Sequence, residues 1–171
     1  MGPVSAEIEI DAPRERVFAA LVDLAARPSF TDHFLTGFHL TRLDPQGVGA
    51  GARFRAKGPL RKVWMDTAIV SVDEPFQIVE EGEAGRGNRI RNHTVWELKE
   101  APGSLTCVRV SHWTEPPAID RTLEILSAGS VWMERGWREA LRRLRDRLES
   151  DQPAAERIAV AGGNRYATGI P

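Results

Sequence analysis

The fold is decided near the N-terminus by residues 8–30, IEIDAPRERVFAALVDLAARPSF, together with the few residues before them. Residues 4–10 alternate apolar and polar side chains, which is the period of a half-buried β-strand. Pro13 suits the first turn of a helix, because its fixed φ matches that turn and its missing N–H needs no partner there. The sequence therefore predicts a strand that runs directly into a helix.

Apolar side chains at helical spacing extend this helix to about Leu24. Pro28 interrupts the following segment, residues 25–34, so we expect a second, short helix there. Both helices should turn their apolar side chains toward a core. The side chains expected to face inward are Val17, Phe18, Leu21, Leu24, Phe30 and Phe34.

After residue 34 the pattern changes to strands. Short runs of alternating or β-branched residues are separated by glycine, proline and aspartate, which is typical of an antiparallel meander. The glycine-rich stretch at residues 82–87 is expected to form one of the turns. The expected strands begin at Phe38 and then cover residues 52–57, 63–72, 76–80, 94–98 and 106–113.

After Pro116 and Pro117 the apolar residues recur about every 3.6 residues, which predicts a long C-terminal helix. Asp120 is a suitable N-cap, because its carboxylate can accept hydrogen bonds from the unpaired amides of the first turn. Charged residues, mainly arginine, cover much of the surface outside the apolar stripe. That stripe consists of Leu126, Met133, Trp137, Leu141, Leu144 and Leu148.

Composition narrows the class of protein. The chain has 171 residues, of which 42% are hydrophobic and 27% charged, as in an ordinary globular protein. A formal net charge of -1 argues against a nucleic-acid binder, which needs basic residues to neutralise phosphates. The single cysteine, Cys107, excludes an internal disulfide, and we expect a cytoplasmic protein with no integral membrane association.

One core and a tail account for the length of the chain. We expect a single domain over residues 1–150. Residues 151–171 contain proline and several glycines with little periodicity, so they are expected to form a flexible tail. Ile158, Val160 and Tyr166 are the tail residues that could dock on the domain.

Several stretches resemble the SRPBCC superfamily, which includes START lipid-transfer domains and the polyketide cyclase/dehydrase family. Residues 8–30 are similar to the opening of that family, residues 70–79 to its strand-turn-strand, and residues 94–113 to its late hairpin. The resemblance extends over about residues 4–149. It implies an α+β helix-grip fold, in which a curved antiparallel sheet wraps around the C-terminal helix and two short helices follow the first strand.

Such a fold leaves an internal cavity, and an apolar cavity can bury most of a small ligand. Its expected wall comes from one face of the late strands and from the stripe of the long helix. For the aromatic and methionine side chains, ordinary core is the favoured alternative. The expected wall residues are Phe30, Phe34, Phe54, Thr94, Trp96, Leu98, Val108, Val110, His112, Met133, Trp137 and Leu141.

His112 and Asp66 are the weak candidates for acid–base chemistry, because an inward histidine or carboxylate can move protons. The competing interpretation has His112 bonded to a backbone group or placed at a sheet edge, and Asp66 facing water. Glu80 is expected in a solvated charge cluster with Glu81, Glu83 and nearby arginines. No metal ligand pattern or cofactor motif is visible, so neither a metal nor a cofactor is expected.

Three functional hypotheses follow. The first is binding of a small hydrophobic molecule, such as a lipid, polyketide or isoprenoid. The second is an enzyme of the polyketide cyclase, aromatase or dehydratase type, acting by acid–base catalysis in the same cavity. The third is a protein-interaction domain whose cavity has collapsed. A wholly apolar lining favours the first, converging polar groups favour the second, and the sequence leaves open a monomer or a homodimer.

Overall fold

The computed structural model describes residues 2–58, 62–103, 105–115, 129–150 and Ile158. Seven strands form one antiparallel sheet, in the order β1-β7-β6-β5-β4-β3-β2. The strands are β1 (Val4–Ile10), β2 (Leu35–Leu40), β3 (Gly51–Lys57), β4 (Lys62–Asp73), β5 (Gln77–Ala84), β6 (Ile90–Ala101) and β7 (Leu105–Glu115). The helices are α1 (Arg14–Val22), α2 (Pro28–Thr31) and α3 (Gly129–Glu149).

The sheet is curled into a half-barrel, with α3 packed against it. Strands β2 to β7 follow one another as a meander, and β1 returns to pair with β7. Helices α1 and α2 therefore connect the two edge strands. This is the helix-grip α+β fold that the resemblance to the SRPBCC superfamily implies.

The core lies between the concave face of the sheet and α3. Seven residues of α3 are buried, at the spacing of one helix face. Facing them, alternate residues of the central strands are buried, as the period of a strand requires. The buried helix residues are Met133, Gly136, Trp137, Ala140, Leu141, Leu144 and Leu148.

The turn expected at residues 82–87 begins later than predicted. Strand β5 continues through Gly82 to Ala84, and the turn follows at residues 85–89. This strand position requires glycine because the neighbouring strand comes too close for a side chain. A Cβ at residue 82 would lie 1.8 Å from the carbonyl oxygen of Asp66. The turn itself uses Gly85 and Gly87, whose φ angles are +77° and +73°.

Two expectations for the C-terminal region lie partly outside the described residues. Asp120 and Leu126 are not described, and the described part of α3 begins at Gly129. Of the tail, the structure describes Ile158, whose N–H donates a hydrogen bond of 3.1 Å to the carbonyl of Ala25. Its side chain packs on the core, so this residue docks on the domain. The flexibility of residues 151–171 stays a prediction.

Gly136 allows α3 to approach the α2–β2 connection. A Cβ at this position would lie 2.5 Å from Cδ2 of Phe34, whose ring also packs edge-on against Trp137 with centroids 5.1 Å apart. The carbonyl of Gly136 is 3.1 Å from Nε2 of His33. The close contact between α3 and Phe34 therefore depends on glycine at position 136.

We predict that Gly136→Ala destabilises the protein by about 1–3 kcal/mol, because the added methyl group must displace the Phe34 ring. Helix propensity alone would have the opposite sign, a gain of up to about 1 kcal/mol. Denaturant unfolding checks the result, with Ser130→Ala on the exposed face of α3 as the control, expected within about 0.5 kcal/mol of wild type. A stabilised Gly136→Ala variant would contradict the close packing.

Candidate ligand-binding site

A small cavity lies between the concave face of the sheet and α3. The side chains around it leave about 10 Å³ of free space, measured as the volume open to the centre of a water molecule, which is room for roughly one water. Half of the lining residues are apolar or aromatic, and half carry polar groups. They are Arg27, Leu35, Phe38, Phe54, Met65, Thr67, Glu80, Asn92, Thr94, His112, Met133 and Trp137.

The apolar part of the lining comes from β2, β3, β4 and α3. Phe38 and Phe54 stack face to face, with ring centroids 5.2 Å apart and planes inclined by 7°. Met65 and Met133 complete this part of the wall. Methionine side chains are unbranched and adapt their shape easily, so these two can move to admit a larger molecule.

A buried ion pair stands at the polar side of the cavity. Nη2 of Arg27, at the start of α2, donates to Oε1 of Glu80 on β5 over 2.7 Å, and both side chains are at most 4% exposed. The indole N–H of Trp96 donates to the same oxygen at 2.8 Å, and the hydroxyl of Thr67 donates to Oε2 at 3.2 Å. Nη2 of Arg27 also donates to the carbonyl of Leu21 at 2.7 Å.

This arrangement compensates part of the cost of burying two charges. An isolated buried charge costs several kcal/mol, and a paired one is tolerated when hydrogen bonds satisfy its remaining atoms. Nε of Arg27 is buried without a partner among the described residues. Both oxygens of Glu80 accept hydrogen bonds, and the guanidinium of Arg27 also lies 4.9 Å from the ring centroid of Trp96. The pair therefore holds α2, β4, β5 and β6 in one fixed arrangement.

The expected solvated position of Glu80 is wrong. Its residue is 2% exposed, because it shares the inner face of β5 with Ile78, which is fully buried. The period-two pattern starting from Ile78 could have indicated this orientation. No sequence signal indicated the partner, since Arg27 lies 53 residues away in an irregular segment.

His112 forms the second polar feature of the cavity. Its Nδ1 is 2.9 Å from Oγ1 of Thr94 on the adjacent strand, and the residue is 2% exposed. The competing interpretation placed His112 at a sheet edge or bonded to a backbone group. Strand β7 instead lies between β1 and β6, and Nδ1 of His112 is bonded to a side chain. Burial, with a smaller effect of His93, lowers the pKa of His112 from 6.5 to about 4.

Three buried nitrogen atoms of lining residues are without hydrogen-bond partners among the described residues: Nε of Arg27, Nε2 of His112 and Nε1 of Trp137. The ring centroids of His112 and Trp137 are 6.0 Å apart. Asn92, by contrast, uses Nδ2 to donate to the carbonyl of Asp66 at 3.1 Å. It pairs directly with Gly82, so its amide reaches β4 past a residue that has no side chain.

The structure brings five of the expected wall residues to the cavity, all of them buried: Phe54, Thr94, His112, Met133 and Trp137. The other seven are buried in the core away from the lining, which is the alternative that the sequence left open: Phe30, Phe34, Trp96, Leu98, Val108, Val110 and Leu141. Sequence reasoning missed the remaining lining residues: Arg27, Leu35, Phe38, Met65, Thr67, Glu80 and Asn92.

Asp66 does not line the cavity. Its side chain is 33% exposed and lies 3.5 Å from Nε of Arg53, in an ion pair on the other face of the sheet. Among the described residues, no three histidine, cysteine, aspartate or glutamate side chains are grouped closely enough to hold a metal ion. Within the same ranges, no helix combines the length and apolar character needed to cross a membrane.

The fold is that of the SRPBCC superfamily, a fold class that commonly binds hydrophobic ligands. Residues 11–149 match the family model described as "Activator of Hsp90 ATPase homolog 1-like protein", and the chain belongs to this family. No curated protein sequence matches the chain.

Solved structures share the fold at low sequence identity. TTHA0849 from Thermus thermophilus is 21% identical with a TM-score of 0.67, covering 85% of this chain and 96% of that one. A START superfamily protein from Mycobacterium smegmatis is 14% identical with a TM-score of 0.63, covering 85% and 98%. The ginseng major latex-like protein 151 from Panax ginseng is 15% identical with a TM-score of 0.64, covering 87% and 98%.

We predict that Glu80→Gln lowers the free energy of unfolding by about 3–5 kcal/mol, because it leaves the charge of Arg27 buried without a counter-ion. Chemical denaturation measures the loss. Glu7→Gln is the matched control, since it breaks an ion pair with Arg109 whose side chains are about half exposed. That control should lose less than about 1 kcal/mol. Equal losses in the two variants would contradict the role given to the buried pair.

The pKa of His112 predicts a pH dependence of stability. The pKa of His112 is about 4 in the folded protein and about 6.5 in the unfolded chain, so the fold favours the neutral imidazole. The stability that depends on this neutral form is fully present above pH 6.5. This contribution is lost as pH falls from 6.5 to 4, and it amounts to about 3 kcal/mol. Wild type should therefore lose about that much more stability than His112→Gln between pH 7.5 and 4, measured by denaturant unfolding. Parallel curves for the two proteins would refute the expectation.

Proposed function

We propose that this protein binds a small, mainly hydrophobic molecule in the cavity between the sheet and α3. The observation that carries the proposal is a cavity lining with two parts. One part offers aromatic and methionine side chains, and the other offers buried nitrogen atoms that no described residue pairs with. Binding pockets likewise combine apolar walls with polar groups that orient the ligand.

The free volume requires the cavity to open on binding. About 10 Å³ holds one water molecule, whereas pockets for small ligands are far larger. Met65 and Met133 are the adaptable side chains that can make room. Burial of about 150 Å² of apolar ligand surface contributes about 4 kcal/mol, which can offset a rearrangement of a few side chains.

A cyclase, aromatase or dehydratase is the second candidate, favoured by the convergence of Arg27, Thr94 and His112 on one cavity. The pKa of His112 weighs against it. With a pKa of about 4, about one imidazole in a thousand is protonated at pH 7, so His112 is not a useful acid. It is also a weak base, because general bases work best with a pKa near the operating pH. Binding therefore ranks ahead of catalysis.

A protein-interaction domain with a collapsed cavity is the third candidate, and the small free volume favours it. The name of the family refers to activation of the Hsp90 ATPase, which is an action on another protein. The unpaired nitrogen atoms of His112 and Trp137 weigh against a cavity that serves packing alone, because a buried polar group without a partner costs stability.

Native mass spectrometry of the protein purified without denaturation tests the proposal. We expect a retained small molecule in wild type and its loss in Met133→Trp, because the larger ring fills the cavity. Val131→Trp is the matched control, since it places the same ring on the 49% exposed face of the same helix. It should keep the molecule.

Retention of the molecule by Met133→Trp at the wild-type level would place the ligand elsewhere and contradict the proposal. Absence of any retained or added ligand would favour the interaction domain. Conversion of the molecule by wild type but not by His112→Gln would favour the enzyme.

A further inference from the structure

The cavity has hydrogen-bonding capacity that the described protein groups do not use. Trp137 and His112 are lining residues that are 4% and 2% exposed, and Nε1 of Trp137 and Nε2 of His112 are buried without a partner among the described residues. Nε of Arg27, the third such atom, belongs to a side chain that is already paired with Glu80. The indole N–H can donate but never accept a hydrogen bond. A buried donor of this kind calls for an acceptor, since nearly all such groups in folded proteins have one.

The charges of the lining are already balanced. Arg27 and Glu80 are paired at 2.7 Å, and they are the charged groups among the described lining residues. His112 is neutral at physiological pH, because burial lowers its pKa to about 4. A carboxylate that entered the cavity would therefore find no cation whose charge is not already matched, because Glu80 neutralises Arg27. Burying such an unpaired charge is strongly unfavourable.

We propose that the ligand is an uncharged molecule that presents an oxygen acceptor, such as a ketone, ester or hydroxyl oxygen, to Nε1 of Trp137 and Nε2 of His112. Its apolar part lies among Phe38, Phe54 and Met133. This inference rests on the proposed function and adds the chemical class of the ligand. The free space of about 10 Å³ matches one oxygen atom of the size of a water molecule, and the apolar part requires the rearrangement described above.

The hydrogen-bond partner of His112 sets its tautomer in the complex. A carbonyl oxygen accepts and cannot donate, so Nε2 must carry the proton. Nδ1 is then the acceptor, and the hydroxyl of Thr94 donates to it at 2.9 Å. Thr94 is thus a positioning residue, which holds the imidazole in the form that can donate to the ligand.

Nuclear magnetic resonance at pH 7.5 tests this class of ligand with two probes of equal chain length, 2-octanone and octanoate. We expect 2-octanone to bind at least about tenfold more tightly, because octanoate adds an unpaired buried charge. Bound 2-octanone should move the assigned indole proton resonance of Trp137 downfield. Nitrogen shifts of His112 should report the tautomer protonated at Nε2.

The variant Trp137→Phe keeps an aromatic ring but removes the hydrogen-bond donor. It should weaken the binding of 2-octanone about fivefold, which is the effect of one neutral hydrogen bond. Octanoate bound as tightly as 2-octanone would overturn the inference and leave the proposed function standing. So would an unmoved Trp137 indole resonance in wild type saturated with 2-octanone, a measurement that needs no variant. If neither probe binds, the proposed function fails, and the ligand class fails with it.

Discussion

The buried contact between Arg27 and Glu80 is the constraint on which the cavity depends. Two opposite charges are nearly excluded from water at 2.7 Å, and a hydroxyl and an indole N–H complete the coordination of the carboxylate. Such a pair adds less to stability than its Coulomb energy suggests, because both ions lose their hydration. Its effect is on geometry, since any displacement of α2 relative to β5 would leave a charge buried and unpaired.

The curled sheet and the ion pair together produce a cavity of mixed character. The strands bend around α3, so the inner side chains of β3 to β7 converge on one space. Apolar and aromatic side chains form half of the lining, and the other half consists of neutral hydrogen-bonding groups and the paired charges of Arg27 and Glu80. A site whose charges are already paired favours uncharged molecules over ions, because an ion that enters it gains no compensation for the water it loses.

Glycine shapes the site at two points where backbone and side chain come into contact. Gly136 brings α3 against the ring of Phe34, and that ring packs on Trp137. Gly82 leaves room for the amide of Asn92 to reach the carbonyl of Asp66 across an intervening strand. The sequence shows both glycines, but their role depends on what lies opposite them, and the pattern alone does not indicate it.

The order of elements, the period of each strand and the buried stripe of α3 were determined by the sequence alone, because each is a local property of neighbouring residues. The same local patterns brought Phe54, Thr94, His112, Met133 and Trp137 to the expected cavity. Only the tertiary structure decided which polar groups meet. Glu80 and Arg27 are 53 residues apart, and periodicity reports the face on which a side chain lies but not the partner it finds there. The chemistry of the cavity therefore follows from long-range pairing, which the fold as a whole selects.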